Sequence, residues 1–261
     1  MKNPILTYDS GFGGLSVLRH VLHAFPQADH LYVADDLVFP IGEWQDAPLI
    51  DHCVATIGAL IALHDPRLVV IACNTASTLI LPPLRAAFDL PFVGTVPAIK
   101  PAASETETGM VSVLATPGTV RRDYTRALMQ DFASHCDVTL VGARGLAVLA
   151  EAYLRGGRVD EAAVAAEIAP CFQTRGDSRT DVIVLACTHY PLLLPVLKAV
   201  APWPVKWIDP APAIARRVQS LMPHLEGGTG QRRFIMTSGA EFPAKAAQIV
   251  AIPTLVDPGL G

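Results

Sequence analysis

Val69-Val70-Ile71-Ala72-Cys73-Asn74-Thr75 and Ile183-Val184-Leu185-Ala186-Cys187-Thr188-His189 decide the fold of this chain. Each is a short apolar run, then Ala-Cys, then small amide or hydroxyl residues. Each continues into a helical stretch with a Leu-Pro pair and a basic residue: Leu81-Pro82 with Arg85, and Leu194-Pro195 with Lys198. A brief, unbroken apolar run closed by turn chemistry reads as a strand buried on both faces, the habit of parallel sheets. The strand–Cys–helix unit occurs twice, so two thiols occupy equivalent places in two halves of one molecule.

Outward from these units, short apolar runs alternate with longer amphipathic ones, which is the α/β pattern. In the first half, strands are expected at Ile5–Tyr8, His30–Ala34, Leu68–Ala72 and Phe92–Val96. Helices are expected near Leu15–Phe25, at Leu49–Leu63 and at Thr75–Phe88. The pattern restarts with strands at Gly109–Ala115, Asp137–Val141 and Asp181–Ala186. Helices there fall at Val120–Phe132, Gly145–Leu154 and Val159–Phe172, with one more behind Cys187. A tail carries a helix at Pro212–Leu221, a strand at Arg233–Thr237 and a helix at Glu241–Val250. The expected architecture is α/β: two pseudo-symmetric βα domains with mainly parallel sheets facing across a central cleft. Residues 1–97 with 209–261 form the Cys73 side and residues 98–208 the Cys187 side.

Composition narrows the function classes. With 51% hydrophobic and 17% charged residues in 261, the chain has the makings of a packed core rather than of disorder. A formal net charge of −4 leaves no electrostatic footprint for nucleic acid. The longest apolar stretch, around Cys53–Leu63, is too short for a bilayer, so no membrane partner is expected. The start, Met-Lys-Asn-Pro, shows no secretory leader, and five irregularly spaced cysteines fit reduced thiols in the cytoplasm. No Cys-x-x-Cys spacing occurs, and Cys187-Thr188-His189 alone offers too few ligands for a zinc site, so no metal is expected.

In open parallel sheets, ligands bind beyond the carboxyl ends of the strands. Asp9-Ser10, Asp35, Cys73-Asn74-Thr75, Thr116 to Thr119 and Cys187-Thr188-His189 all fall at such ends. Asn74 or Thr75 reads as the cap of one helix, and Thr188 with Pro191 as the start of the other. A thiol at a helix N-terminus gains thiolate character from the unpaired amides. His189 is in place to relay a proton for Cys187, and Asp9 to do so for Cys73. Ser10, Asn74, Thr75, Thr116, Thr119 and Thr188 supply neutral donors. The glycines of Ser10-Gly11-Phe12-Gly13-Gly14 lack the ending of a phosphate loop and read instead as letting backbone amides approach a carboxylate. Two acid/base groups opposed across a small molecule are what inversion of a C–H centre needs.

These motifs together resemble the glutamate racemases of the cofactor-independent aspartate/glutamate racemase superfamily. The resemblance rests on Asp9-Ser10-Gly11-Phe12-Gly13-Gly14, Ala72-Cys73-Asn74-Thr75-Ala76 and Cys187-Thr188-His189-Tyr190-Pro191-Leu192. Val96-Pro97-Ala98-Ile99-Lys100-Pro101 is similar to the family's domain junction, and Thr116 and Thr119 to its Thr-x-x-Thr loop. His189 stands where aspartate racemases typically carry Glu.

The resemblance implies that Cys73 removes the α-proton from D-glutamate and Cys187 from L-glutamate, with Asp9 and His189 as their respective helpers. It makes Asp35 and Glu151 supporting carboxylates. It further implies D-glutamate for peptidoglycan synthesis in the cytoplasm, and a homodimer. The chain departs from the family's Pro-Tyr-Gly with Pro40-Ile41-Gly42, which keeps the backbone but drops the aromatic hydroxyl. A loop arginine is Val38 here, and the run before Glu151 is Ala143-Arg144-Gly145-Leu146-Ala147-Val148-Leu149-Ala150. Three other readings remain open from the residues: a racemase or isomerase of the same superfamily acting on aspartate or another acid, a cysteine hydrolase using Cys187 and His189, and a non-catalytic amino-acid binder or regulator.

Overall fold

Parallel strands need a crossover between them, and the chain supplies helices for it. The computed structural model describes residues 3–223 and 227–251. It opens with β1 (Ile5–Asp9), α1 (Leu15–Ala24), β2 (His30–Ala34), α2 (Asp46–His64), β3 (Leu68–Ile71), α3 (Asn74–Ala87) and β4 (Phe92–Gly94). Helix α4 (Ile99–Glu105) leads to β5 (Met110–Ala115), α5 (Pro117–Val120), α6 (Asp123–Phe132), β6 (Asp137–Gly142), α7 (Leu146–Leu154) and α8 (Glu161–Ile168). A small hairpin, β7 (Thr174–Arg175) and β8 (Ser178–Arg179), precedes β9 (Val182–Ala186), α9 (Leu194–Val200) and β10 (Lys206–Ile208). The described chain closes with α10 (Ala211–Leu221), β11 (Arg232–Met236) and α11 (Ala244–Ala251).

Two sheets result, in the orders β11-β2-β1-β3-β4 and β10-β9-β5-β6, with every neighbouring pair parallel. In the first, the chain leaves β1 for β2 on one side and later returns to β3 on the other. In the second it leaves β5 for β6 and returns to β9. Each sheet therefore has a topological switch point, between β1 and β3 and between β5 and β9, where a crevice opens. Cys73 follows β3 and Cys187 follows β9, so both thiols stand at a switch point.

Burial on both faces explains why the decisive strands are apolar without interruption. Along β3, Val69 and Ile71 enter a core shared with Leu49, Cys53 and Ile57 of α2. Leu68 and Val70 enter the opposite core with Val17 and Val21 of α1 and Ile214 and Val218 of α10. In β9, Ile183 and Leu185 face α7, α8 and α9, while Val182, Val184 and Ala186 face Ile99 and Ala102 of α4. The tail joins the first sheet: β11 pairs with β2, and α10 and α11 pack on α1.

Several elements differ from the expectation. The helix over 120–132 is broken: Thr116 caps α5, and Thr125 Oγ1 donates to Thr119 O at 2.9 Å as the chain turns into α6. The helix behind Cys187 starts late. Tyr190–Leu193 is a 3-10 turn containing Pro191, and α9 follows only from Leu194. Three short pieces, α4, the β7–β8 hairpin and β10, are additions. Helix α2 runs to 19 residues with a mean hydropathy of 1.5, so one described helix is long and apolar enough to cross a bilayer, against the shorter stretch read from sequence. Its Leu49, Cys53 and Ile57 are fully buried against the first sheet.

Candidate active site

The two switch points open onto one cavity of about 320 Å3. Ser10, Cys73, Asn74 and Thr75 line it from the first lobe, and Thr116, Cys187, Thr188 and His189 from the second. Pro40, Ile41 and Gly42 form a wall. Asp9, Asp35, Thr119 and Glu151 do not reach the lining and stand behind it. A larger cleft of about 730 Å3 runs between α1, α11 and the 190–195 segment, but no thiol and no residue at the carboxyl end of a strand lines it. Chemistry, rather than volume, locates the site.

Cys73 is itself the N-cap of α3, its Sγ accepting from Ala76 N at 3.5 Å, where Asn74 or Thr75 was expected. Ser10 Oγ lies 3.6 Å from the same sulfur. The expected thiolate character does not follow. Burial pushes the Cys73 thiol well up, the charge of Asp9 adds to that, and the Ala76 amide and Ser10 offset only part of it. Asp9 makes no hydrogen bond to Cys73. Its carboxylate accepts from Gly11 N at 3.2 Å and from Thr188 Oγ1 at 3.2 Å, across the lobes. Burial raises Asp9 to about 6, with the His189 charge and the Gly14 amide pulling the other way.

Cys187 has a different escort. Its sulfur lies 3.8 Å from His189 Nδ1, and His189 Nε2 lies 2.7 Å from Glu151 Oε1. Burial alone lowers the His189 pKa, but the hydrogen bonds and charges of Cys187 and Glu151 overcome it, leaving the imidazole well above its ordinary value. A charged imidazole between a thiol and a carboxylate is the arrangement that stabilises proton movement at that sulfur. Glu151 also accepts from Phe12 N at 2.6 Å. The glycine loop thus does bring an amide to a carboxylate, and that carboxylate belongs to the protein. A methyl group on Gly11 would strike Glu151, and one on Gly13 would strike Thr188 and His189, so only glycine permits this approach between lobes.

Neutral donors complete the lining. Thr75 Oγ1 lies 2.9 Å from Thr116 Oγ1 and 3.1 Å from Thr119 Oγ1, joining the lobes beside the cavity. Asn74 is buried with neither amide atom partnered, although it lines the cavity. A buried amide left unpaired costs about 1–3 kcal/mol, which a ligand with matching groups would recover. Asp35 serves a separate cluster. It accepts from the hydroxyl of Tyr8, from Thr237 Oγ1 at 2.7 Å, and pairs with His52 Nε2 at 2.8 Å. That cluster pins the turn from β2 into the wall at Pro40.

Sequence reasoning passed over Phe39, Arg121, Arg144 and Glu43, which also line the cavity. Phe39 places its ring 5.6 Å from that of His189, an aromatic wall two positions before the Ile41 that lacks one. Its place directly before Pro40 was the available signal. Arg144 was visible only as an interruption in an otherwise apolar run.

The fold and site define a class: a two-lobed parallel α/β protein with one buried cysteine from each lobe on a common cavity. The model of a family described as Asp/Glu/Hydantoin racemase matches residues 34–218, and the chain belongs to that family. It is 58% identical over 223 residues to a glutamate racemase of Brucella ovis, covering 85% of this chain and 80% of the relative. A glutamate racemase of Brucella anthropi is 59% identical over 222 residues, with the same coverage. The structure resembles the Escherichia coli glutamate racemase solved with L-glutamate and the activator UDP-MurNAc-Ala. There the TM-score is 0.85 at 38% identity, over 96% of this chain and 93% of that one.

Proposed function

We propose that this protein is a glutamate racemase that works with two cysteine bases. The reading is carried by one observation: two thiols, each from a switch-point strand of a different lobe, line a single cavity. The high identity to glutamate racemases across most of the chain supports the reaction class and the substrate.

The chemistry follows from that placement. One sulfur, as thiolate, takes the α-proton from one face of glutamate; the C–H electron pair stays on the α-carbon and its carboxylate. The opposite thiol then gives its proton to the other face, forming the new C–H bond and becoming the thiolate. The enzyme ends one turnover with its two thiol protonation states exchanged, and the enantiomer runs the same path in reverse. An amino-acid α-proton is barely acidic, so the base must be strong. The burial that raises Cys73 makes its thiolate such a base once the substrate ammonium offsets the charge. Ser10, Asn74, Thr75, Thr116 and Thr188 are placed to hold the carboxylates as negative charge grows, the role of preorganised donors in a dry site.

The two lobes, residues 1–97 with 209–261 and residues 98–208, act on this reading as units that close around the substrate. Thr75 against Thr116 and Asp9 against Thr188 are the contacts that tighten on closure. The product D-glutamate supplies peptidoglycan synthesis in the cytoplasm, and the protein works as a homodimer. The five cysteines, all free of disulfides, agree with a reducing compartment.

The test is proton exchange during turnover, with L- and D-glutamate separately in D2O, read by NMR and circular dichroism. Deuterium is expected at Cα as optical activity decays from either side. Retention of the α-proton with both enantiomers would overturn the reading.

A further inference from the structure

We propose that Phe39 is a positioning residue for the base at Cys187: its ring, carried on the first lobe, seats in the core of the second and holds the His189 imidazole between Cys187 and Glu151. This deepens the two-cysteine reading above and rests on it.

The segment around Phe39 is divided between two cores. Val38 and Ile41, on either side of it, are buried in the core of the first sheet with Leu49, Cys53 and Cys73. Phe39 instead packs on the core of the second lobe, which contains Ala143, Leu146, Ala147 and Cys187. Every other described apolar residue of that core falls between Leu114 and Trp207, so Phe39 is its one contribution from the first lobe. The backbone that carries the ring is turned tightly on both sides: Val38 N donates to Asp35 O at 3.2 Å, and Glu43 N to Pro40 O at 3.2 Å. Asp35 is in turn held by Thr237 Oγ1 and His52 Nε2. The ring is therefore a fixed knob of one lobe set into the other.

His189 is the neighbour that such a knob would steady. Its Nδ1 lies 3.8 Å from Cys187 Sγ and its Nε2 2.7 Å from Glu151 Oε1. Both contacts lie at the ring edge, so they resist poorly a tilt of the imidazole about the line joining its two nitrogens. The Gly13 backbone already stands against the ring, since a methyl group there would strike Nδ1. The Phe39 ring meets it with centroids 5.6 Å apart and planes at 47°. That spacing is inside the roughly 4.5–7 Å at which ring pairs attract. A cationic imidazole gains further from a π system within reach in a desolvated site. Phe39 also lines the cavity. A wall against substrate sets KM, whereas a support behind the base sets kcat.

The experiment compares wild type with Phe39→Leu, which keeps an apolar side chain without a ring, and Phe39→Tyr, which restores the ring. In Phe39→Leu, kcat with either enantiomer is expected to fall about tenfold while KM changes less than about twofold. Phe39→Tyr should recover most of the loss. Introduced into Glu151→Gln, Phe39→Leu should cost less than about twofold more, because both changes act through His189. Losses that multiply in the double variant, a rise in KM alone, an unchanged kcat, or equal losses in the Leu and Tyr variants would overturn the proposal. Proton NMR of the resting protein separates it from the racemase reading. The Nε2 proton shared with Glu151, assigned by its loss in His189→Gln, should give a downfield signal in wild type that broadens by exchange with water in Phe39→Leu. That broadening, without turnover of glutamate by wild type, would remove the reading of the reaction and keep the hold of Phe39 on His189. A signal equally sharp in both proteins would overturn that hold.

Discussion

Cys73 and Cys187 end equivalent strands of two similar lobes, yet their surroundings have diverged. Cys73 caps a 14-residue helix, touches Ser10 and has the buried charge of Asp9 nearby without a hydrogen bond to it. Cys187 precedes a 3-10 turn instead of an α-helix and reaches a charged His189 backed by Glu151. The first sulfur is set by burial and a helix N-terminus, the second by a hydrogen-bonded imidazole and carboxylate. On the two-base reading, a duplicated backbone delivers two bases of different character to one carbon. A racemase tolerates this, because enantiomers have equal free energy and kcat/KM must be equal in the two directions whatever each base is like.

The largest effect should come from removing either sulfur. Cys73→Ser and Cys187→Ser are each expected to lower kcat/KM by at least about a thousandfold in both directions, within the range a positioned base contributes. Polarimetry with each enantiomer reads this directly. Near-normal racemisation in either variant would break the comparison, since one sulfur would then be a passenger.

A smaller effect separates the two escorts. Glu151→Gln keeps the shape beside His189 and Phe12 but removes the charge that holds the imidazolium. A fall of about 10–100-fold in kcat/KM is expected, the scale at which partners behind a functional imidazole act. Because the fall must be equal in both directions, rates alone cannot reveal the asymmetry. Isotope effects can. If Cys187 handles the L face, the step at that sulfur becomes more rate-limiting, and the primary isotope effect with α-deuterated L-glutamate should grow while that with the D enantiomer shrinks. Equal changes with both would show that Glu151 serves the site as a whole.

The strand framework was legible because a strand buried on two faces must be apolar at every position, and Val69–Ala72 and Ile183–Ala186 have that form. The hydroxyl and amide residues at strand ends were legible for the same reason, as polar residues abruptly ending such runs. What escaped depends on pairs far apart in the chain. Glu151 finds His189 only when α7 and the 190–193 turn are packed together, and Asp35 finds Tyr8, His52 and Thr237 through three different elements. The capping role of Cys73 was hidden by two better caps beside it, Asn74 and Thr75. The late start of α9 was hidden by Pro191, which suits a first helical position but here begins a tighter turn. Strand β10, three residues long, gives too short a run to carry a period.

The smallest expected effect concerns the charge beside Cys73. Asp9 goes from 3.8 to about 6 on burial, so the folded state holds its proton more tightly than the unfolded state does. Stability from this group is complete below 3.8 and is lost as pH rises through about 6; His189, also raised, pulls in the same direction over a higher range. Asn at this position does not titrate. The stability of Asp9→Asn relative to wild type should therefore improve between pH 4 and pH 8, by at most about 3 kcal/mol. Any constant loss, such as the acceptor given up towards Gly11 or Thr188, cancels in that difference. Denaturant melts of both proteins at the two pH values measure it. A difference independent of pH would mean that Asp9 stays paired and solvated in the fold, and the contrast would then have to rest on geometry: a helix cap at Cys73, a hydrogen-bonded relay at Cys187.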